Sequence, residues 1–260
     1  MSVVLRVEKI DKYYGTRDNI KKALDGLSFR VEKGEFISIM GPSGSGKTTL
    51  LNCISTVDTV SGGHIFLETG DGLSGSVDIT EVPPKEQARF RRENLGFVVQ
   101  DFNLMDRLTI EENIALPLVL LGMEPGKVHA ESVKMMERLG IGDIGSRFPI
   151  QVSGGQKQRC ACGRAIIKKP RLLLADEPTG ALDSRSARSL MELLEGLNGE
   201  LQVTILMVTH DSFCASFGNR VLFLKDGRIF HEIVKGEKSQ KRFYDEILQV
   251  QSFLGGDVPC

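Results

Sequence analysis

Apolar residues along this chain fall into two rhythms, and each marks out a kind of element. Residues 3–8 and 27–31 alternate or cluster apolar side chains as strands do, and Gly34 marks a turn before FISIM at 36–40. That run is short, β-branched and almost wholly apolar, which predicts a strand buried on both faces. LLLAD at 172–176 and VTILMVTH at 203–210 repeat the pattern, each after a helical stretch. Such alternation predicts an α/β fold around a parallel core sheet. Between about 101 and 165 the rhythm changes. IEENIALPLVLLG and ESVKMMERLG keep helical periodicity and offer no strand, which predicts a helical lobe inserted into the α/β domain. Residues 62–80, rich in Gly, Ser and Asp with short β-branched runs, predict the turns and edge strands of an antiparallel β patch. No internal repeat is visible, and a single domain over 1–235 is expected. In the tail at 236–260 a helix is expected, with Phe243, Ile247, Val250 and Leu254 on one face, docked on its own domain.

Composition narrows the classes of function. The chain has 260 residues, 41% hydrophobic and 26% charged, enough for a substantial core. Lys plus Arg number 33 against 34 for Asp plus Glu, so no net field attracts nucleic acid or anionic lipid. Basic clusters such as Lys85 to Arg92 then read as solvated helix faces. Cys53, Cys160, Cys162, Cys214 and Cys260 are odd in number and lack metal-ligand spacing. They read as small apolar residues of a reducing compartment. The longest apolar stretch, IALPLVLLGM at 114–123, carries Pro117 and falls short of the roughly 20 residues that span a bilayer. MSVVLRVEKI has charges where a signal peptide needs an uninterrupted apolar run. A soluble, cytosolic chain is expected.

The chemistry starts at GPSGSGKT, 41–48, which fits G-x-x-x-x-G-K-[ST] between a buried strand and a helix. Glycines let the backbone bend around a phosphate and its amides point inward. Lys47 reaches the terminal phosphates and Thr48 can ligate Mg²⁺. LLLADEP at 172–178 supplies a partner: Asp176 ends a central strand and can hold the metal through water. Glu177 beside it makes poor sense as surface charge, because it repels phosphates. It makes sense as the group that orients or deprotonates the attacking water, and the Asp–Glu pair points to ATP hydrolysis. Gln100 follows GFVV and His210 follows TILMVT, so both are expected at the carboxyl edge of the sheet, where α/β proteins bind ligands. There Gln100 can complete the metal shell and His210 can contact the γ-phosphate. A second anion cradle is predicted at VSGGQKQRC, 152–160, where a serine hydroxyl and amides open a helix.

Phosphate loop, Gln100, SGGQ at 153–156, LLLADE at 172–177, ALD at 181–183 and His210 resemble, in order and rough spacing, an ABC-type ATPase domain over nearly the whole chain. The resemblance implies a P-loop NTPase fold of the ABC ATPase type that binds ATP and Mg²⁺. It implies ATP-binding roles for Gly41, Pro42, Ser43, Gly44, Ser45, Gly46, Lys47, Thr48 and Thr49, with Tyr14 rather than Tyr13 stacking on adenine. Thr48, Gln100 and Asp176 become the metal residues, and Glu177, His210 and Lys47 the catalytic ones. In this family two domains stack head to tail, so Ser153, Gly154, Gly155 and Gln156 serve the nucleotide of a second copy, and Asp183 takes part in communication across the dimer. DFNLMDRLTIEENIALPL (101–118) and ADEPTGALDS (175–184) resemble the macrolide-export and lipoprotein-release class. SGGQKQR with Gly163, and the tail ending FLGG, are similar to bacitracin-type antimicrobial-peptide resistance ATPases of Gram-positive bacteria. That class implies an integral-membrane permease with a large extracellular domain, a sensor histidine kinase as a further partner, and a place on the inner face of the cell membrane. Val152 stands where Leu is commonest, and Cys160 and Cys162 stand where the family has aliphatic residues.

Two other classes fit less well. Structural-maintenance ATPases need a long coiled coil between Gln100 and Ser153, and translation-type members carry two ATPase domains per chain. The neutral charge also argues against nucleic acid as a partner. A scaffold that binds nucleotide without turnover is opposed by Glu177 and His210 together. The expected function is an ATP-hydrolysing motor for a separate permease docked near 101–120.

Overall fold

Two long strands open the chain: β1 (Val3–Tyr14) and β2 (Lys21–Glu32) pair antiparallel, with Arg6 opposite Arg30 and Val7 opposite Phe29. Both belong to a computed structural model that describes residues 2–16, 19–70 and 75–255. Next come β3 (Phe36–Met40), α1 (Lys47–Ile54), β4 (Gly62–Glu68), β5 (Ser76–Asp78), α2 (Pro84–Asn94) and β6 (Leu95–Val99). Three helices follow, α3 (Ile110–Leu120), α4 (Pro125–Arg138) and α5 (Gly154–Ile166). The chain then returns through β7 (Leu172–Asp176), α6 (Ser184–Leu201), β8 (Ile205–Val208), α7 (Ser212–Ala215), β9 (Arg220–Lys225) and β10 (Arg228–Val234) to α8 (Gln240–Gly255).

The core sheet runs β10-β9-β3-β8-β7-β6, parallel throughout except for β10, which pairs antiparallel with β9 at one edge. All five residues of β3 and all four of β8 are buried, as expected of central strands covered on both faces. The second sheet, β2-β1-β4-β5, is antiparallel. The antiparallel patch is therefore larger than the stretch 62–80: it recruits β1 and β2. Their alternation of buried and exposed positions is what a sheet with one covered face requires. Residues 71–74, inside the expected patch, lie outside the described residues.

Two apolar layers sandwich the core sheet. One, including Leu5, Ile39, Leu50, Leu174 and Leu206, fills the space towards the antiparallel sheet and α1. The other, including Ile114, Met136, Cys160, Leu173, Met191 and Met207, packs α3–α6 on the opposite face. Phe243, Ile247 and Leu254 of α8 are buried against Met40, Ala215, Val221 and Phe223, with Val250 at the margin of that cluster. The tail helix is thus docked on its own chain from Phe243 to Leu254. Among the described residues no helix is long and apolar enough to cross a membrane.

Candidate active site

The phosphate loop leaves β3 at Met40 and enters α1 at Lys47, so its amides gather at a helix N-terminus. Two glycines are sterically required. At Gly41 (φ +155°) a Cβ would lie 2.2 Å from the Leu224 carbonyl oxygen, and at Gly46 (φ +102°) 2.5 Å from that of Ala23. Lys47 donates from Nζ to the Gly41 and Pro42 carbonyls at 2.8 and 2.9 Å, folding its ammonium back over the loop. Burial holds its pKa below the ordinary lysine range, while Glu177 and Asp176 pull it up.

Across a cleft of about 450 Å³ from this loop stand Asp176 and Glu177 at the carboxyl end of β7 and His210 just beyond β8. Burial raises the Asp176 pKa, the charge of Glu177 raises it further, and Lys47 opposes both. Glu177 takes a left-handed backbone, φ +46°, held by a bond from its amide to the Val208 carbonyl at 2.9 Å. Such a conformation costs a β-carbon residue on the order of 1–3 kcal/mol and is found where a side chain must be aimed. Its Oε1 lies 2.9 Å from His210 Nδ1, whose ring is otherwise largely exposed.

Gly41, Ser43, Gly44, Gly46, Lys47, Thr48 and Thr49 line this cleft, as does Tyr14; Pro42, Ser45 and Tyr13 do not. Ser45 has a buried side chain, and Pro42 contributes a carbonyl to Lys47. Tyr14 is set in place by its hydroxyl, which donates to Asp58 Oδ2 at 2.6 Å, and by the Lys12 ammonium 4.9 Å from its ring centre. Burial pushes the phenol pKa up, and the bond to Asp58 adds to it.

Gln100 follows β6 at the same sheet edge, but its amide packs beside Gly180 and it does not line the cleft. Nor do Ser153, Gly154, Gly155 and Gln156. Ser153 caps α5: its Oγ accepts from the Gln156 amide at 3.3 Å, and Gln156 Oε1 accepts from the Ser153 amide at 3.0 Å. The serine hydroxyl is therefore half committed, since it accepts from its own helix yet keeps its proton to donate outward. Asp183 caps α6 in the same way, accepting from Arg185 and Ser186 amides at 3.0 Å, and those bonds with the Ser186 hydroxyl hold its pKa down.

Three polar residues tie these pieces together, and nothing in the sequence assigns them that role. Gln158, fully buried in α5, donates to the carbonyls of Val99 and Pro178, the neighbours of Gln100 and Glu177. Arg164 donates to the Phe102 and Asn103 carbonyls. Asn113 in α3 is fully buried and donates to the carbonyls of Met105, Leu108 and Thr109. Their signal in sequence is a polar letter set among residues that the helix buries, as Asn113 is among Ile110, Ile114 and Ala115.

The four described cysteines, Cys53, Cys160, Cys162 and Cys214, are buried and free, and burial pushes each thiol up to about 12. They pack as apolar residues; Cys260 lies outside the described residues.

A glycine loop on a helix N-terminus, a lysine over it, and an Asp–Glu–His set facing it across one cleft define a P-loop ATPase. A family model described as ABC transporter matches residues 24–180. The chain is 48% identical over 254 residues to the bacitracin export ATP-binding protein BceA of Halalkalibacterium halodurans, covering 97% of each chain. It is also 48% identical over 258 residues to the ABC transporter ATP-binding protein YxdL of Bacillus subtilis, covering 99% of this chain and 97% of the relative. Among solved structures, the dimeric post-hydrolysis state of the ATP-binding cassette MJ0796 bound to ADP and Pi matches with a TM-score of 0.77 at 35% identity, over 88% of this chain and 98% of that one. MJ0796 comes from Methanocaldococcus jannaschii. The chain belongs to the ABC transporter family, as an ATP-binding subunit that hydrolyses ATP.

Proposed function

We propose that the chain works as an ATP-dependent head-to-tail homodimer that powers a separate integral-membrane permease for export of, or resistance to, bacitracin-like antimicrobial peptides. The observation that carries the dimer is the separation of two anion cradles. The cleft with Lys47, Glu177 and His210 has no wall from Ser153 to Gln156, so that half of the site is free for a second copy. The solved dimers of MJ0796 support the same reading. The name of BceA supports the peptide, and its 97% coverage fits an ATP-binding chain separate from its permease.

In this reading Tyr14 stacks on the adenine, the loop amides and Lys47 hold the phosphates, and the neighbour's Ser153 hydroxyl donates to the γ-phosphate. Glu177 takes a proton from the attacking water, and His210, held by Glu177, faces the terminal phosphate. The Thr48 hydroxyl and the Asp176 carboxylate are hard oxygen donors on one cleft, a set that suits Mg²⁺, with Gln100 completing the shell on rearrangement. Bound there, Mg²⁺ neutralises phosphate charge in the transition state. Burial first, and then the neighbouring carboxylate of Glu177, raise the Asp176 pKa, and a cation held there would oppose both.

Val119, Leu120, Leu121 and Met123 are exposed at and just beyond the C-terminal end of α3, and Met105 is exposed before its start. This apolar patch supports docking of a permease against the lobe, which brings the chain to the inner face of the membrane. The permease of this class carries a large extracellular domain, and a sensor histidine kinase completes the assembly.

The test uses Ser153→Asp placed in Glu177→Gln protein. Aspartate is as good a helix cap as serine, so α5 keeps its start, while its charge opposes the neighbour's γ-phosphate. Nucleotide affinity of the monomer, read by fluorescence, is expected to stay near that of the parent, and the ATP-dependent dimer seen by gel filtration is expected to vanish. An undiminished dimer, or loss of nucleotide binding by the monomer, would refute the shared site.

A further inference from the structure

We infer that Gln251, in the tail helix, is a positioning residue that sets the aim of His210; this rests on the role proposed for His210 above. The ring of His210 is 74% exposed and is held by one described hydrogen bond, to Glu177. Little packing fixes its direction, so the backbone at residue 210 decides where the ring points. Gln251 reaches that backbone from α8, donating from Nε2 to the His210 carbonyl at 3.4 Å and accepting from the hydroxyl of Ser212. Ser212 is 7% exposed and opens α7, whose cap Asp211 accepts from the amides of Phe213 and Cys214 at 2.7 and 3.2 Å. The turn 210–214 is thus braced within itself and at Cys214, which meets the Thr179 hydroxyl at 3.3 Å, while the Gln251 amide ties its start to α8.

The platform behind that amide is firm. Phe243 and Ile247 are fully buried against Met40, Ala215 and Phe223. Met40 immediately precedes Gly41, so the same helix backs both the phosphate loop and the histidine turn. A docked tail helix could be mere covering for β9. The two bonds of Gln251, one to the carbonyl of His210 and one from the hydroxyl of Ser212, are what covering alone does not require.

The experiment compares full-length Gln251→Met and Gln251→Glu with His210→Ala. Methionine keeps the length and packing and makes neither bond. Glutamate still accepts from Ser212 and cannot donate to the His210 carbonyl. Loss of one neutral hydrogen bond that acts in the transition state lowers kcat by roughly threefold to tenfold. Both Gln251 variants are expected to show that loss with KM for Mg-ATP and fluorescent-nucleotide affinity unchanged, because Tyr14 and the phosphate loop are untouched. The thermal midpoint should fall by no more than a few degrees, as loss of one or two hydrogen bonds implies, while the folded, nucleotide-binding fraction at the assay temperature stays at the wild-type value, which separates positioning from simple stabilisation. Wild-type kcat in both variants beside an inactive His210→Ala overturns this inference and leaves the site reading intact. A fall in kcat matched by a fall in the fraction of folded, nucleotide-binding protein overturns it too, by making Gln251 structural. Wild-type turnover of His210→Ala overturns both readings together.

Discussion

Replacing Glu177 with Gln isolates the chemistry of one atom. The side chain keeps its length and its left-handed backbone, and its amide can still meet His210 Nδ1, now 2.9 Å from Oε1. What goes is the basic oxygen. General-base assistance is worth about 10² to 10⁴ in rate, or roughly 2.7–5.4 kcal/mol of barrier at 25 °C, and that is the loss expected in the hydrolysis step. Binding should move the other way. The negative charge of Glu177 opposes the phosphates and is the second cause, after burial, of the high Asp176 pKa. Without it Asp176 ionises at lower pH, so the acid limb of Mg-ATP binding is expected to shift downward. The sign is fixed: a raised carboxyl gives up its proton late, and removing a neighbouring anion lets it go earlier. Single-turnover hydrolysis with enzyme in excess reads the first effect, nucleotide affinity from pH 4 to 7 reads the second, and gel filtration with Mg-ATP reads the closed dimer that accumulates. Single-turnover rates within threefold of wild type would mean another group activates the water.

Lys47→Ala should remove the ammonium that caps the phosphate loop, with charge-assisted contacts worth about 1.5–3 kcal/mol each; turnover near wild type at saturating ATP would rule out this loop as the catalytic cradle. The four described thiols should resist alkylation in the native state at pH 8. A thiol pushed up to about 12 has on the order of a thousandth of the thiolate of one at 9.0, before burial is counted. Mass spectrometry after a short pulse of iodoacetamide should find Cys53, Cys160, Cys162 and Cys214 unmodified until denaturant is added, and native labelling of any of them would contradict their packing.

Much of the core was legible because β3, β7 and β8 are covered on both faces, and a strand in that situation has to be a short unbroken apolar run. The phosphate loop was legible for a different reason: its conformation admits few residues, as the 2.2 Å approach at Gly41 makes plain. The layer to which β1 and β2 belong was not, since alternation reveals one covered face without saying what covers it. RVLFLK at β9 is as apolar as β7 yet carries no motif, and β10 leaves Phe230 and Val234 exposed at an edge, so neither stood out. SGGQ was read for its anion-binding amides, while the same letters also spell a capping box. Gln158 and Arg164 were invisible because their partners are backbone carbonyls 59 and 61–62 residues away, which no local pattern records.

Those two residues make α5 a lever. Arg164 grips residues 102 and 103 near one end, Gln158 grips residues 99 and 178 in the middle, and Ser153 rides the other tip. Eleven residues of helix separate Ser153 from Arg164, about 16 Å at 1.5 Å per residue, so a tilt of about 10° at the gripped end swings the tip by roughly 3 Å. That is the length of one hydrogen bond. A displacement of about 1.5 Å at the Gln158 grip, about 9 Å from Arg164, is thereby nearly doubled at the tip, enough to make or break a contact between Ser153 and the phosphate it is proposed to meet.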